Sequence, residues 1–177
     1  MTEVKLKIIA LSIAVFSVLN VLAQQDNPAD PVDLVVSNTV LQLKAVLEKQ
    51  FSQADIHKMI TMVAGAKSDR YDADTIGWRH VTSNGYEVTT VIISYANGIP
   101  VKCTYLGPVR PSADKVEVHE SFKKTLAKFW IHKETLHNAK MGEIIDKYDL
   151  SGGFVAYAKL EKLKDDKGRT SIVVQRN

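Results

Sequence analysis

Two Asn-Gly pairs, Asn84-Gly85 and Asn97-Gly98, bracket the alternating run from Tyr86 to Tyr95, and they constrain this chain more than any other feature. Both residues of such a pair accept the positive φ of a type I′ turn, so the chain is expected to reverse tightly twice. Ile76, Trp78 and His80 share one face of the run before the first pair, and Ile99 to Tyr105 follows the second. The three runs predict an antiparallel meander. Its middle strand carries Val88 and Ile92 on one face and Val91, Ile93 and Tyr95 on the other. Apolar residues on both faces imply a central strand covered on both sides, or one with a side turned to an apolar ligand.

Helical periodicity comes before and after the meander. Asp30-Pro31 has the form of an N-cap followed by proline at the first helical position, and Val36, Val40, Leu43, Leu47 and Phe51 form one stripe. Ser52-Gln53-Ala54-Asp55 resembles a capping box that restarts a helix with Ile56, Met59, Ile60 and Val63 inside and Gly65 as its stop. Residues 67–74 are expected to be a charged loop. Beyond Gly107-Pro108 and Pro111, Asp114 is expected to cap a third helix with Val118, Phe122, Leu126, Phe129, Trp130 and Leu136 on its core face. The pattern carries that helix on toward Tyr148. Phe154 to Leu163 and Thr170 to Gln175 then predict a final hairpin about 165–168. The expected fold class is α+β: two N-terminal helices and a five-stranded antiparallel sheet, made of the meander plus the C-terminal hairpin. One long helix is inserted between the strand groups. No internal repeat is visible.

The N-terminus implies export. Lys5 and Lys7 precede an apolar run from Ile8 to Ala23 that ends Val21-Leu22-Ala23 and gives way to Gln24-Gln25-Asp26. A basic start, an apolar middle and a small-residue end are the layout of a secretory signal peptide. Residues 1–23 are therefore expected to be removed, 24–30 to be a polar lead and 31–177 to be a single domain. The run is short and interrupted for a spanning helix, which needs about 20 apolar residues. No transmembrane span is expected after cleavage. Cys103 is the one cysteine, so no internal disulfide can form. Asn38, Asn84 and Asn97 lack Ser or Thr two positions on. Together these favour a bacterial periplasmic or secreted protein. Of 177 residues, 45% are apolar and 24% charged, which excludes collagen-like and disordered classes. A net charge of +3 argues against nucleic acid as a partner.

Motifs for chemistry are sparse. Asp72-Ala73-Asp74-Thr75-Ile76-Gly77 matches three positions of a calcium loop, yet Ile76 and Ser83 stand where oxygen ligands belong. Glu134-Thr135-Leu136-His137 occurs once, whereas a di-iron bundle needs two copies. His132 and His137 are too far apart around a helix to share an ion, and His119 lies thirteen residues before the first of them. Ser121-Phe122-Lys123-Lys124 fits Ser-x-x-Lys without its companion motifs. Cys103 alternates with Val101 and Tyr105 and reads as a small buried residue rather than a nucleophile. No catalytic residue, metal or cofactor is expected.

The leading expectation is an exported non-catalytic binding module, of an inhibitor, immunity or envelope-assembly kind, whose partner is another protein. Its candidate binding residues are Trp78, His80 and Tyr86 at the first hairpin, and Lys124, Lys128 and His132 on the basic stretch. A second expectation is a carrier of an apolar small molecule or lipid, lined by Met59, Met62 and Phe129. Asp30-Pro31 with Leu34-Val35, and Ile92 to Tyr105, are similar to segments of periplasmic phospholipid carriers, although the inserted helix departs from that family's order. A third is an enzyme with a scattered site around His80 and Asp72 or Asp74.

Overall fold

The computed structural model describes residues 31–62, 66–81, 87–107, 109–138, 143–163, 165 and 167–177. Residues 1–30, which hold the expected signal segment and polar lead, and Asn84, Gly85 and Tyr86 lie outside them. Helices α1 (Pro31–Lys49) and α2 (Gln53–Ile60) come first. Strands β1 (Ala66–Asp72), β2 (Thr75–Val81), β3 (Glu87–Ala96) and β4 (Ile99–Leu106) follow. After the short β5 (Arg110–Pro111) come α3 (Ser112–Phe129), β6 (Ile131–Asn138), β7 (Glu143–Leu150), β8 (Phe154–Lys162) and β9 (Lys167–Arg176). The eight long strands form one antiparallel sheet in the order β1-β2-β3-β4-β9-β8-β7-β6, and β5 pairs with β9 beside it.

This order describes two four-stranded meanders, each preceded by helix, joined through their last strands. The β4–β9 ladder runs antiparallel from Lys102↔Gln175 to Leu106↔Ser171. An approximate two-fold axis through the Thr104–Val173 pair therefore relates the halves. The chain repeats its architecture without repeating its sequence.

The expected five-stranded sheet with a long inserted helix is overturned. The third helix stops at Phe129, and Ile131–Asn138 and Glu143–Leu150 are strands rather than its continuation. Phe129, Trp130 and Leu136 happen to fit a helical stripe. As an edge strand exposed along Ile131–His137, β6 carries no alternation to contradict it. The charged loop at 67–74 is also strand over most of its length, since β1 is the other edge and bears the polar residues edges tolerate. Its turn is shaped by Asp72, whose Oδ1 accepts from the Asp74 N–H at 3.1 Å. Ser52 caps α2 by accepting from the Asp55 N–H at 3.2 Å. Asn97 and Gly98 have φ of 51° and 75°, the positive pair a I′ hairpin requires.

One face of the sheet holds the core. Ladder partners place Trp78, Val91, Tyr105, Ile172 and Ala158 in one row across it. Ile76, Ile93, Cys103, Val174, Ala156 and Tyr148 form the next row. Val40, Leu43 and Leu47 of α1, Ile56, Met59 and Ile60 of α2, and Phe122 and Leu126 of α3 all pack into this one cluster. The end of α1 is tied down further: the Lys44 and Arg176 cations lie 5.3 and 4.9 Å from the Phe154 ring, and Arg176 donates to the Leu47 carbonyl at 3.3 Å. At the seam between halves, the Gly107 N–H donates to the Thr170 carbonyl at 3.0 Å. A Cβ on Gly107 would stand 2.8 Å from that same oxygen, which is backbone and cannot swing aside. Gly107→Ala should accordingly lower stability by about 1–3 kcal/mol, read as a reduced urea midpoint at unchanged slope.

Candidate functional site

The first row of the core ends on a charge. Past Ala158 the next position belongs to Asp146 of β7, and past that to Thr135 of β6. Asp146 is fully buried. Its Oδ1 accepts from Thr135 Oγ1 at 2.5 Å and from His132 Nε2 at 3.2 Å. Its Oδ2 accepts from His119 Nε2 of α3 at 3.1 Å, with Lys123 Nζ at 3.9 Å. His119 is equally buried, and the Tyr148 hydroxyl beside the group donates to the Lys123 carbonyl at 3.5 Å. Three elements are thus clasped by one carboxylate at the place where the apolar core gives out.

Burial opposes ionisation of Asp146 and is the strongest single influence on it. The Thr135 hydroxyl, the Lys123 ammonium and the two imidazoles together outweigh it and hold the carboxyl below its ordinary value. The ionised oxygens can only accept, so His119 presents Nε2–H to them, leaving Nδ1 bare. That nitrogen is buried and has no hydrogen-bond partner among the described residues. Burial acts first on His119 too and holds the imidazole below its ordinary value, against the pull of Asp146.

This geometry suits fastening better than catalysis. A nucleophile–base relay uses both nitrogens of one imidazole, one toward the hydroxyl and one toward the carboxylate. Here His132 turns a single nitrogen to both Thr135 Oγ1, 3.2 Å away, and Asp146. The two imidazoles approach opposite oxygens and do not converge. Among the described residues no group of three or more His, Cys, Asp or Glu could hold an ion. Cys103 lies wholly buried, and burial pushes its thiol up, away from the reactive thiolate.

The register also shows what the clasp replaces. Across the β4–β9 axis Cys103 corresponds to Ile172, and stepping outward through Ile93 and Ala158 makes Ile76 the counterpart of Asp146. On the helices, Val40, Leu43 and Leu47 share the three-then-four spacing of His119, Phe122 and Leu126, all buried. In the sheet, hydrocarbon fills in the first half the place that the carboxylate fills in the second.

The opposite face of the sheet carries a second feature. None of the described helices packs there, yet Ile92, Thr104, Val173 and Tyr157 make a half-buried row across four strands. Toward the β6 side the face is bordered by ion pairs. Lys147–Glu134, Lys133–Asp149, Lys159–Glu143 and Arg169–Glu161 approach to 3.6, 3.0, 3.9 and 2.7 Å.

The expected binding residues are scattered over this framework. Trp78 is buried in the core, His80 pairs with Ala66 and Thr89 through its backbone in β2, and Tyr86 lies outside the described residues. Lys124 and Lys128 are exposed on α3. His132 alone enters the clasp, with five strands between its own and that of Trp78. Met59 is buried in the core, whereas Met62 and Phe129 are more than half exposed, so the three do not line one cavity. Sequence reasoning finds His132 but not Asp146 or Thr135 as its partners, because the helical pattern that runs on toward Tyr148 hides strands β6 and β7. The alternation of Ile144, Tyr148 and Leu150 was the available signal, with Asp146 at an inward position. No helix among the described residues is long and apolar enough to cross a membrane. Comparison with protein-family models, curated proteins and solved structures finds no match.

Two outcomes follow from the clasp. His119→Val and Asp146→Ile should each destabilise the fold by about 1–3 kcal/mol, because each strands the other partner. The double variant, which copies the first half, should lose less than their sum by about 1 kcal/mol or more in a denaturant double-mutant cycle. The depressed Asp146 value means that its stabilisation is complete above the ordinary carboxyl range and is lost as pH falls through the folded-state value. Asp146→Asn should therefore flatten the loss of stability below about pH 4 in acid titrations of the unfolding midpoint.

Proposed function

We propose that this chain is an exported, non-catalytic binding module that docks another protein on the open face of its sheet. The observation that carries the reading is the one-sided placement of the helices: α1, α2 and α3 share a single core, and none of them packs on the other face of the sheet, where Ile92, Thr104, Val173 and Tyr157 stay half-buried. That face has the make-up of a protein-binding surface. Ile92, Val173 and Tyr157 supply apolar area at the centre, Thr104 adds a small polar group, and ion-paired charges form part of the rim. Tyrosine at such a centre is the residue type that most often dominates binding energy. Strands hydrogen-bonded on both sides hold these side chains in place before a partner arrives, so little ordering remains to be done on docking.

Export rests on the layout of residues 1–23 and on the lone cysteine, and points to a bacterial periplasmic or secreted setting. The partner is then a protein of the same compartment. The mature chain, used as bait in its own envelope or secreted fraction, should capture that partner. Tyr157→Ala with Val173→Lys should weaken capture about thirtyfold while leaving the thermal midpoint within a few degrees. Lys124→Glu with Lys128→Glu should leave it unchanged. The reverse pattern, with capture lost only in the lysine variant, would move the docking surface to α3 and end the open-face reading.

A further inference from the structure

We propose that the His119–Asp146 clasp is an acid-sensitive latch: it holds α3 against β6 and β7 near neutral pH and releases them when His119 takes up a second proton. The inference is independent of the docking face. Its basis is geometric. His119 already gives Nε2–H to the buried Asp146 carboxylate at 3.1 Å, so an added proton must go to Nδ1. Nδ1 is buried and has no hydrogen-bond partner among the described residues. Protonation there creates a buried N–H with nothing to accept it, and the imidazolium can satisfy both its donors only by leaving.

The groups around the ring set the direction of the response. From α3, Glu120 favours the charged ring and Lys123 opposes it; from β7, Asp146 favours it. His132 and Thr135 of β6 share the carboxylate, and Tyr148 of β7 donates to the Lys123 carbonyl. Ala158 and Ile172, the next positions in the row, offer only hydrocarbon. Burial prevails and keeps the ring neutral in the latched state. The released or unfolded chain therefore binds the proton first. Stability from the latch is full above about pH 6.5 and is lost as pH falls below it toward the lower latched-state value. Ile76, the counterpart of Asp146 in the first half, does not titrate, so the latch belongs to the second half alone.

Hydrogen exchange of the full chain tests this, with amide rates corrected for the intrinsic effect of pH. Between about pH 7.5 and pH 5.5, protection in α3, β6 and β7 should fall about tenfold relative to β3 and β4. His119→Gln keeps an N–H for Asp146 and cannot take a proton, so the step should vanish, whereas His132→Gln should retain it. A step that survives His119→Gln, that disappears only in His132→Gln, or that spreads evenly over both halves would overturn the latch. If the glutamine variant does not fold, the His119 ring titration followed by NMR in the natural protein decides. Its midpoint should coincide with the exchange step, and separated midpoints would overturn the proposal equally.

Discussion

The β4–β9 ladder is the interaction on which the rest of this molecule depends. Each meander could form from local contacts alone, because its strands are joined in sequence by turns. Neither could bury both sides of its last strand without the other. Pairing Lys102–Leu106 with Ser171–Gln175 turns two half-sheets into one, and removes two edges that would otherwise offer unpaired backbone to any passing strand. It also brings α1 and α3 over a common core. The pairing joins residues 65 to 73 positions apart, farther than any other ladder of the described sheet, so its closure is the long-range step in folding, and it tolerates little interference. That is why Gly107, where backbone meets backbone at the end of the seam, leaves no room for a side chain.

Because the halves share one plan, each difference between them can be weighed against an internal control. The scaffold does not require a buried carboxylate at this position of the sheet, since Ile76 fills the corresponding place in the first half with hydrocarbon. A buried polar cluster rarely outperforms well-packed apolar residues in stability. The His119–Asp146–His132–Thr135 group therefore contributes something other than bulk stability. Two of its members, His132 and Thr135, sit on the exposed edge strand β6, so the cluster connects the outermost strand to the buried face of a helix. An apolar contact could not do this, because an edge strand with both faces open has no apolar side to offer.

What could be read from the sequence depended on whether a segment's burial was one-sided. Asn97-Gly98, the apolar run of β3 and the C-terminal hairpin were legible because turn chemistry and alternation agreed. The stripes at 40–47 and 56–60 were legible for the same reason at the helical period. The failures were the two edges. β1 is polar on both faces, and β6 is exposed along nearly its whole length, so neither carries a period. With β6 unread, β7 was absorbed into a helix, and with it went Asp146. The error propagated from an edge inward. The repeat escaped notice because the halves conserve only burial and direction, and Ile76 against Asp146 erases even the polarity.

A sheet with helices on one side divides its labour between its faces. The covered face concentrates the hydrophobic burial, and every large apolar change there is felt by three helices at once. The open face is relieved of that duty. Ile92, Thr104, Val173 and Tyr157 stay only half-buried there, held in place through backbone ladders that do not depend on what their side chains touch. Eight strands give that face a width no single helix could match, and its ion-paired rim sets limits on what can settle there. A small ligand would need a concavity with walls, whereas a broad face of rigid strands suits a partner of comparable breadth. The physical argument for a protein partner thus rests on area and rigidity rather than on any one residue.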